Sequence, residues 1–225
     1  VLEANWLETT VFLNRGDRFE PGTLPVAAQF TPAFGATVAD FDGDGCEDIF
    51  LSQNFFAVQP QTSRNDSGRG LLLAGNGQGE FKRVSTGESG IEVYGEQRGT
   101  AAGDYDADGR TDLVVTQNGA ATKLFRNQGG NPGLRVRLRG AGANRNGIGA
   151  IVRLRFGTRW GPAREIHAGS GYMSHDSSVQ VIAAPSAADR IEILWPGGKK
   201  LELTVPPGAK EIEVDQALGN LKVLR

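Results

Sequence analysis

Apolar residues enter this chain in short runs closed by Gly, Asn or Asp: Val11-Phe12-Leu13 before Asn14, Ile49-Phe50-Leu51 after Asp48, Leu71-Leu72-Leu73 before Gly75-Asn76-Gly77, and Leu124-Phe125 before Asn127. Runs this short between turn-forming residues predict strands and tight hairpins. From Leu134 the texture changes to strict alternation, Leu134-Arg135-Val136-Arg137-Leu138-Arg139 and then Ile151-Val152-Arg153-Leu154-Arg155-Phe156. A period of two puts one face in a core and leaves an arginine-lined face outside. Further strand candidates lie at 164–167, 179–183, 190–195, 200–205 and 211–214. The chain is therefore expected to be all-β, with a C-terminal β-sandwich-like domain of about seven short strands.

The N-terminal part is periodic. Residues 34–54 lie over residues 98–118 at a constant offset of 64, without a gap. Between the copies runs an apolar stretch with an Asn/Gly turn at 71–77, matched at 11–17 and 124–129. One period thus holds an Asp-rich loop between two strands followed by a hairpin, and four strands make a propeller blade. A trailing hairpin at residues 6–20, one full period and the opening of another read as a partial β-propeller. Propellers close with about four to eight blades, so the remaining blades, from a longer array or a second chain, are expected partners.

Within each copy, carboxylates stand at loop positions 1, 3, 5 and 9: Asp40, Asp42, Asp44 and Asp48, then Asp104, Asp106, Asp108 and Asp112. Position 7, Cys46 or Arg110, would add its backbone carbonyl. Oxygen donors at alternate positions of a glycine-tightened loop can surround one Ca²⁺. Without a cation, carboxylates this close repel or take up protons. The expectation is two structural Ca²⁺ sites. An EF-hand needs a glutamate at position 12 and flanking helices, but position 12 here is Leu51 or Val115, inside a strand-like run. The paired carboxylates of a glycosidase fit less well, because the same set recurs at one offset.

These loops resemble the FG-GAP/VCBS repeats of integrin alpha chains and exported bacterial proteins, with Phe34-Gly35 at the family's Phe-Gly and Gly99 retained in the second copy. Asn144-Arg145-Asn146-Gly147-Ile148-Gly149-Ala150, Ala168-Gly169-Ser170-Gly171-Tyr172-Met173-Ser174 and Leu194-Trp195-Pro196-Gly197-Gly198-Lys199 resemble the ASPIC/UnbV domain. The resemblance implies a calcium-binding repeat region over residues 1–129 and an ASPIC/UnbV-like β domain over 130–225. It also implies a secreted, periplasmic or cell-surface protein, non-enzymatic, that meets a protein or glycan ligand at the cell surface or in the matrix. The competing class is a glycan-binding protein or enzyme with its site on the central face of the complete propeller, where Ser52-Gln53-Asn54 and Thr116-Gln117-Asn118 recur.

Composition narrows this picture. The 32 glycines suit a turn-rich globular chain. The formal charge of −2 hides a division: residues 1–129 carry 10 Lys/Arg against 18 Asp/Glu, residues 130–225 carry 14 against 8. Two units with different electrostatic tasks follow. The lone Cys46 excludes an internal disulfide framework. No apolar run nears the roughly 20 residues of a membrane span, and no interleaved aromatic platform accompanies the arginines, which argues against nucleic acid. Opening at Val1, the chain reads as a mature product or an excised piece. Arg15-Gly16-Asp17 falls at a hairpin turn and is read as that turn. His167, His175 and the serines near them lack a placed base and an oxyanion hole, so no catalytic residue is assigned.

Overall fold

The computed structural model describes residues 2–184 and 186–225 and is nearly all β, with helix over 3% of it. Val1 and Pro185, including the reading placed on Val1, lie outside the described residues. Strands β1 (Thr10–Asn14) and β2 (Phe19–Thr23) form a lone hairpin. It sits later in the chain than expected, because the Leu24 N–H donates to the Thr9 carbonyl and sets the hairpin's base there. Strands β3 (Ala33–Ala39), β4 (Asp48–Gln53), β5 (Leu71–Gly75) and β6 (Phe81–Arg83) form an antiparallel sheet in chain order, one complete blade. A single-turn helix α1 (Thr86–Ser89) follows, capped by Ser85 and Glu88 and closed by Gly90. It leads to the three-stranded sheet of β7 (Glu96–Gly103), β8 (Asp112–Asn118) and β9 (Ala120–Phe125). The small sheets lie in a propeller-like arrangement.

The run Ile49-Phe50-Leu51 is apolar at successive positions because both faces of β4 are covered. Ile49 and Leu51 join Leu24, Leu71 and Leu73 in a core against the first hairpin. Phe50 points the other way and packs with Leu113 and Val115 of the next sheet and with Val93 in the segment that leads into it. A strand with neighbours on both faces loses its alternation. The repeat also survives into register: Ala39 pairs with Asp48 as Gly103 pairs with Asp112, 64 positions on. The Gly35 N–H donates to Ser52 Oγ at 2.7 Å and the Gly99 N–H to Thr116 Oγ1 at 2.9 Å. A side chain at Gly35 would meet the Arg98 carbonyl at 2.9 Å, so glycine is required where the chain repeats it. The third Asn/Gly turn ends β9 but opens no hairpin; the chain crosses from it to the C-terminal part.

There, β14 (Gln180–Ile182), β10 (Leu134–Arg139), β17 (Glu211–Asp215) and β18 (Asn220–Val223) form one sheet in that spatial order. The pair β10–β17 is parallel. The second sheet runs β12 (Arg159–Trp160), β11 (Ile151–Phe156), β15 (Arg190–Leu194), β16 (Lys200–Thr204), with β13 (Arg164–Glu165) also on β11. Val136, Ile212, Leu154, Ile191, Ile193 and Trp195 from both sheets share one core, which makes the unit sandwich-like. Strands β12 and β18 exceed the seven read from the sequence, being short returns of two and four residues. Among the described residues no helix is long and apolar enough to cross a membrane.

The loop after β13 docks on the repeat part. The Ser177 N–H donates to the Ala102 carbonyl, and the Ala102 N–H to Asp176 Oδ1 at 2.7 Å. At the far end of β7, Glu96 pairs with Arg98 at 2.8 Å and accepts the Phe56 N–H and the Asn118 amide. Burial would raise its carboxyl, but these donors outweigh it and hold the pKa near about 2, against an ordinary 4.5. A depressed folded-state value gives stability that is complete above about 4.5 and lost as pH falls toward about 2. Glu96→Gln is therefore expected to be less stable at neutral pH and to converge on the parent in that acid window. Urea unfolding across the window checks this; a gap independent of pH would contradict it.

Candidate metal centre

Between β3 and β4 the chain turns through Asp40, Asp42 and Asp44, and between β7 and β8 through Asp104, Asp106 and Asp108. In each loop the three carboxylates bring one oxygen apiece within 4.8 Å of one another. The backbone bends them inward. Asp40 Oδ1 accepts the Gly43 N–H at 2.7 Å, and its Oδ2 accepts the Gly45 N–H at 2.8 Å. Asp104 Oδ2 likewise accepts the Gly109 N–H at 2.7 Å. The loops share their unusual dihedrals: φ is +74° at Gly43 and +62° at Ala107, then +94° at Gly45 and +89° at Gly109. Gly43 must be glycine, since a Cβ there would lie 2.3 Å from the Asn131 carbonyl of the crossing linker.

The fourth carboxylate of each loop stands apart from the three. Asp48 accepts the Phe41 N–H at 2.8 Å on one oxygen and the Gly75 N–H at 3.0 Å on the other. Asp112 does the same with Tyr105 and Asn127, at 3.1 and 2.7 Å. These two side chains tie the loop to its own blade. At position 7, the Cys46 N–H donates to Asp44 Oδ1 and the Arg110 N–H to Asp108 Oδ1. The Cys46 thiol is pushed up to about 11 by burial and by the nearby carboxylates of Asp44, Asp40 and Asp42, so it stays protonated.

The loops differ in their cations. Asp106 meets Arg126 at 2.6 Å, Asp108 meets Arg110 at 3.0 Å, and Asp104 is bonded by Arg135, which reaches on to Glu211 at 3.1 Å. In the first loop the nearby Arg164 instead forks onto Glu47, at 2.8 and 2.9 Å. Burial pushes Asp40 and Asp48 up to about 6 each, against the N–H bonds they accept.

Arg135 and Asn127 are the side chains that the sequence reading did not assign here. Arg135 belongs to the alternating run, yet its side chain is only 8% exposed because that end of β10 faces the second acidic loop. The Asn127 amide donates to the Phe41 carbonyl of the first loop and the Thr111 carbonyl of the second, at 2.6 and 3.0 Å. Its recurrence with Asn14 and Asn76 in the Asn/Gly turns was the available signal.

Clustered carboxylate oxygens are hard donors of the kind that suit Ca²⁺; those of the first loop have no arginine partner among the described residues, whereas those of the second are paired with Arg110, Arg126 and Arg135. Among known proteins, residues 140–220 match the family described as ASPIC and UnbV. Cartilage acidic protein 1 of Homo sapiens is 25% identical over 205 residues, covering 85% of this chain. The chain spans 29% of that relative's length.

Proposed function

We propose that this chain is a calcium-stabilised β-repeat module for recognition or adhesion outside the cell. The pair of acidic loops, 64 positions apart, carries the reading: each gathers three carboxylates on a backbone that already holds them together. Asp40, Asp42 and Asp44 would hold one ion, Asp104, Asp106 and Asp108 the other, with the carbonyls of Cys46 and Arg110 available to each. Asp48 and Asp112 then serve the sites by fixing the loops. Bound calcium would neutralise the first loop, and in the second would share Asp104, Asp106 and Asp108 with the arginines that pair them; in both it would add stiffness. Extracellular modules hold it at about 10⁻⁴–10⁻³ M.

The setting outside the cell is supported by the FG-GAP/VCBS resemblance and by a relative whose name places it in cartilage. The recognition role rests on that relative and on the ASPIC and UnbV match. Thermal melting with and without chelator tests the reading. Calcium at 100 times its Kd adds about 2.7 kcal/mol per site, which at this size moves Tm by about 5–11 °C. Superimposable melting curves overturn the proposal.

A further inference from the structure

The two acidic loops gather the same carboxylates at the same spacing but meet different cations. Among the described residues no arginine pairs with Asp40, Asp42 or Asp44; Arg164, close enough for Asp40 to feel its charge, is committed to Glu47 through two of its nitrogens. At the second loop Arg126 meets Asp106 at 2.6 Å and Asp108 at 3.6 Å, Arg110 meets Asp108 at 3.0 Å, Arg135 is bonded to Asp104, and Arg225 donates to the Ala107 carbonyl at 2.7 Å. These cations are not equally free. The Arg135 side chain is 8% exposed and is also held by Glu211. Arg110 is tied through Nε to the Gly130 carbonyl at 2.6 Å. The Arg126 side chain is 49% exposed, and its polar contacts among the described residues are the two carboxylates alone. The difference has a local origin. The N–H groups of Gly75 and Asn127 hold equivalent places, each donating to the fourth aspartate of its loop, Asp48 at 3.0 Å and Asp112 at 2.7 Å. The residue before them is Ala74 in the first blade and Arg126 in the second. Position 7 repeats the contrast, with Cys46 against Arg110.

Calcium binds carboxylate oxygens, and its affinity follows the ligand charge that it meets. A guanidinium takes up the same lone pairs and repels a divalent cation nearby. An ion entering the second loop must therefore compete with Arg126 for Asp106 and Asp108, whereas one entering the first loop displaces no guanidinium. Of the arginines at the second loop, Arg126 is the one whose exposure and lack of other partners let it yield. We propose that the two calcium sites are unequal, the first loop filling at lower calcium, and that Arg126 is the residue that sets the lower affinity of the second. Between the two affinities the chain holds one ion, while the second loop is neutralised by its own arginines. This rests on the calcium reading of both loops and adds an order of filling to it.

The test is a calcium titration of the whole chain, read by NMR at the Gly45 and Gly109 amides, each bonded to the first aspartate of its own loop. In the parent, Gly45 is expected to reach its midpoint at calcium at least about tenfold lower than Gly109 does. Arg126→Ala, which matches Ala74 of the first blade, should lower the Gly109 midpoint by about fivefold, the upper worth of an exposed ion pair, and leave Gly45 where it was. Arg126→Lys keeps the charge and should return the Gly109 midpoint toward the parent's. The side chain is exposed, so both variants should keep the folded spectrum. Equal midpoints at the two glycines, or an Arg126→Ala protein whose Gly109 midpoint is the parent's, would overturn this inference and leave the calcium reading standing. Calcium that moves neither glycine overturns both.

Discussion

Replacing Arg135 with methionine is expected to lower the unfolding free energy by about 3–5 kcal/mol, the cost of stranding a buried charge. The side chain sits between Asp104, whose own side chain is 1% exposed, and Glu211 at 8%. Methionine keeps much of the volume but leaves Asp104 without its guanidinium. Glu211 suffers less, since Arg137 and Arg225 still reach it at 3.3 and 3.2 Å. At this chain length the loss corresponds to a fall in Tm of about 6–20 °C. Lysine should recover only part of it, because one ammonium cannot serve two carboxylates in the geometry of a planar fork. Urea unfolding at neutral pH measures the difference. A loss under about 1 kcal/mol, typical of exposed pairs, would show that Arg135 does not tie the C-terminal part to the second loop.

Asp48→Ala should be nearly as damaging, and equally so with calcium or chelator. Its two oxygens hold the N–H groups of Phe41 and Gly75 in a buried position. Each N–H left unpaired costs about 1–3 kcal/mol, so the pair costs about 2–6 kcal/mol. Asp44→Ala is the contrast. That carboxylate is exposed and its hydrogen bonds go to Cys46 alone, within its own loop, so its loss should be small in chelator and appear as a weaker calcium response. Melting all three proteins in both buffers separates the roles. A deficit in Asp48→Ala seen only when calcium is present would make Asp48 a ligand rather than an anchor.

The distinction between those aspartates shows where local pattern stops. Spacing alone groups Asp40, Asp42, Asp44 and Asp48 as one set, because alternation along a loop is visible in one dimension. Which oxygen faces inward and which accepts an N–H depends on the neighbouring strand: Gly75 lies 27 residues from Asp48 and meets it only once β5 has paired with β4. The alternating run at 134–139 likewise announces a strand, but not that Arg135 is covered while Arg137 and Arg139 stay in solvent.

The sequence by itself determined the β class, the offset of 64, the shared loop conformation and the carboxylate cluster. All of these follow from side-chain period and turn chemistry, which act over a few residues and repeat wherever the residues repeat. Tertiary structure decided the rest: the arginines that neutralise the second loop, the Asn127 bridge between loops, and the Arg164–Glu47 fork across 117 residues. Those features join segments distant in the chain. Their partners are chosen by which surfaces the packing of whole sheets brings together, and no local pattern encodes that choice.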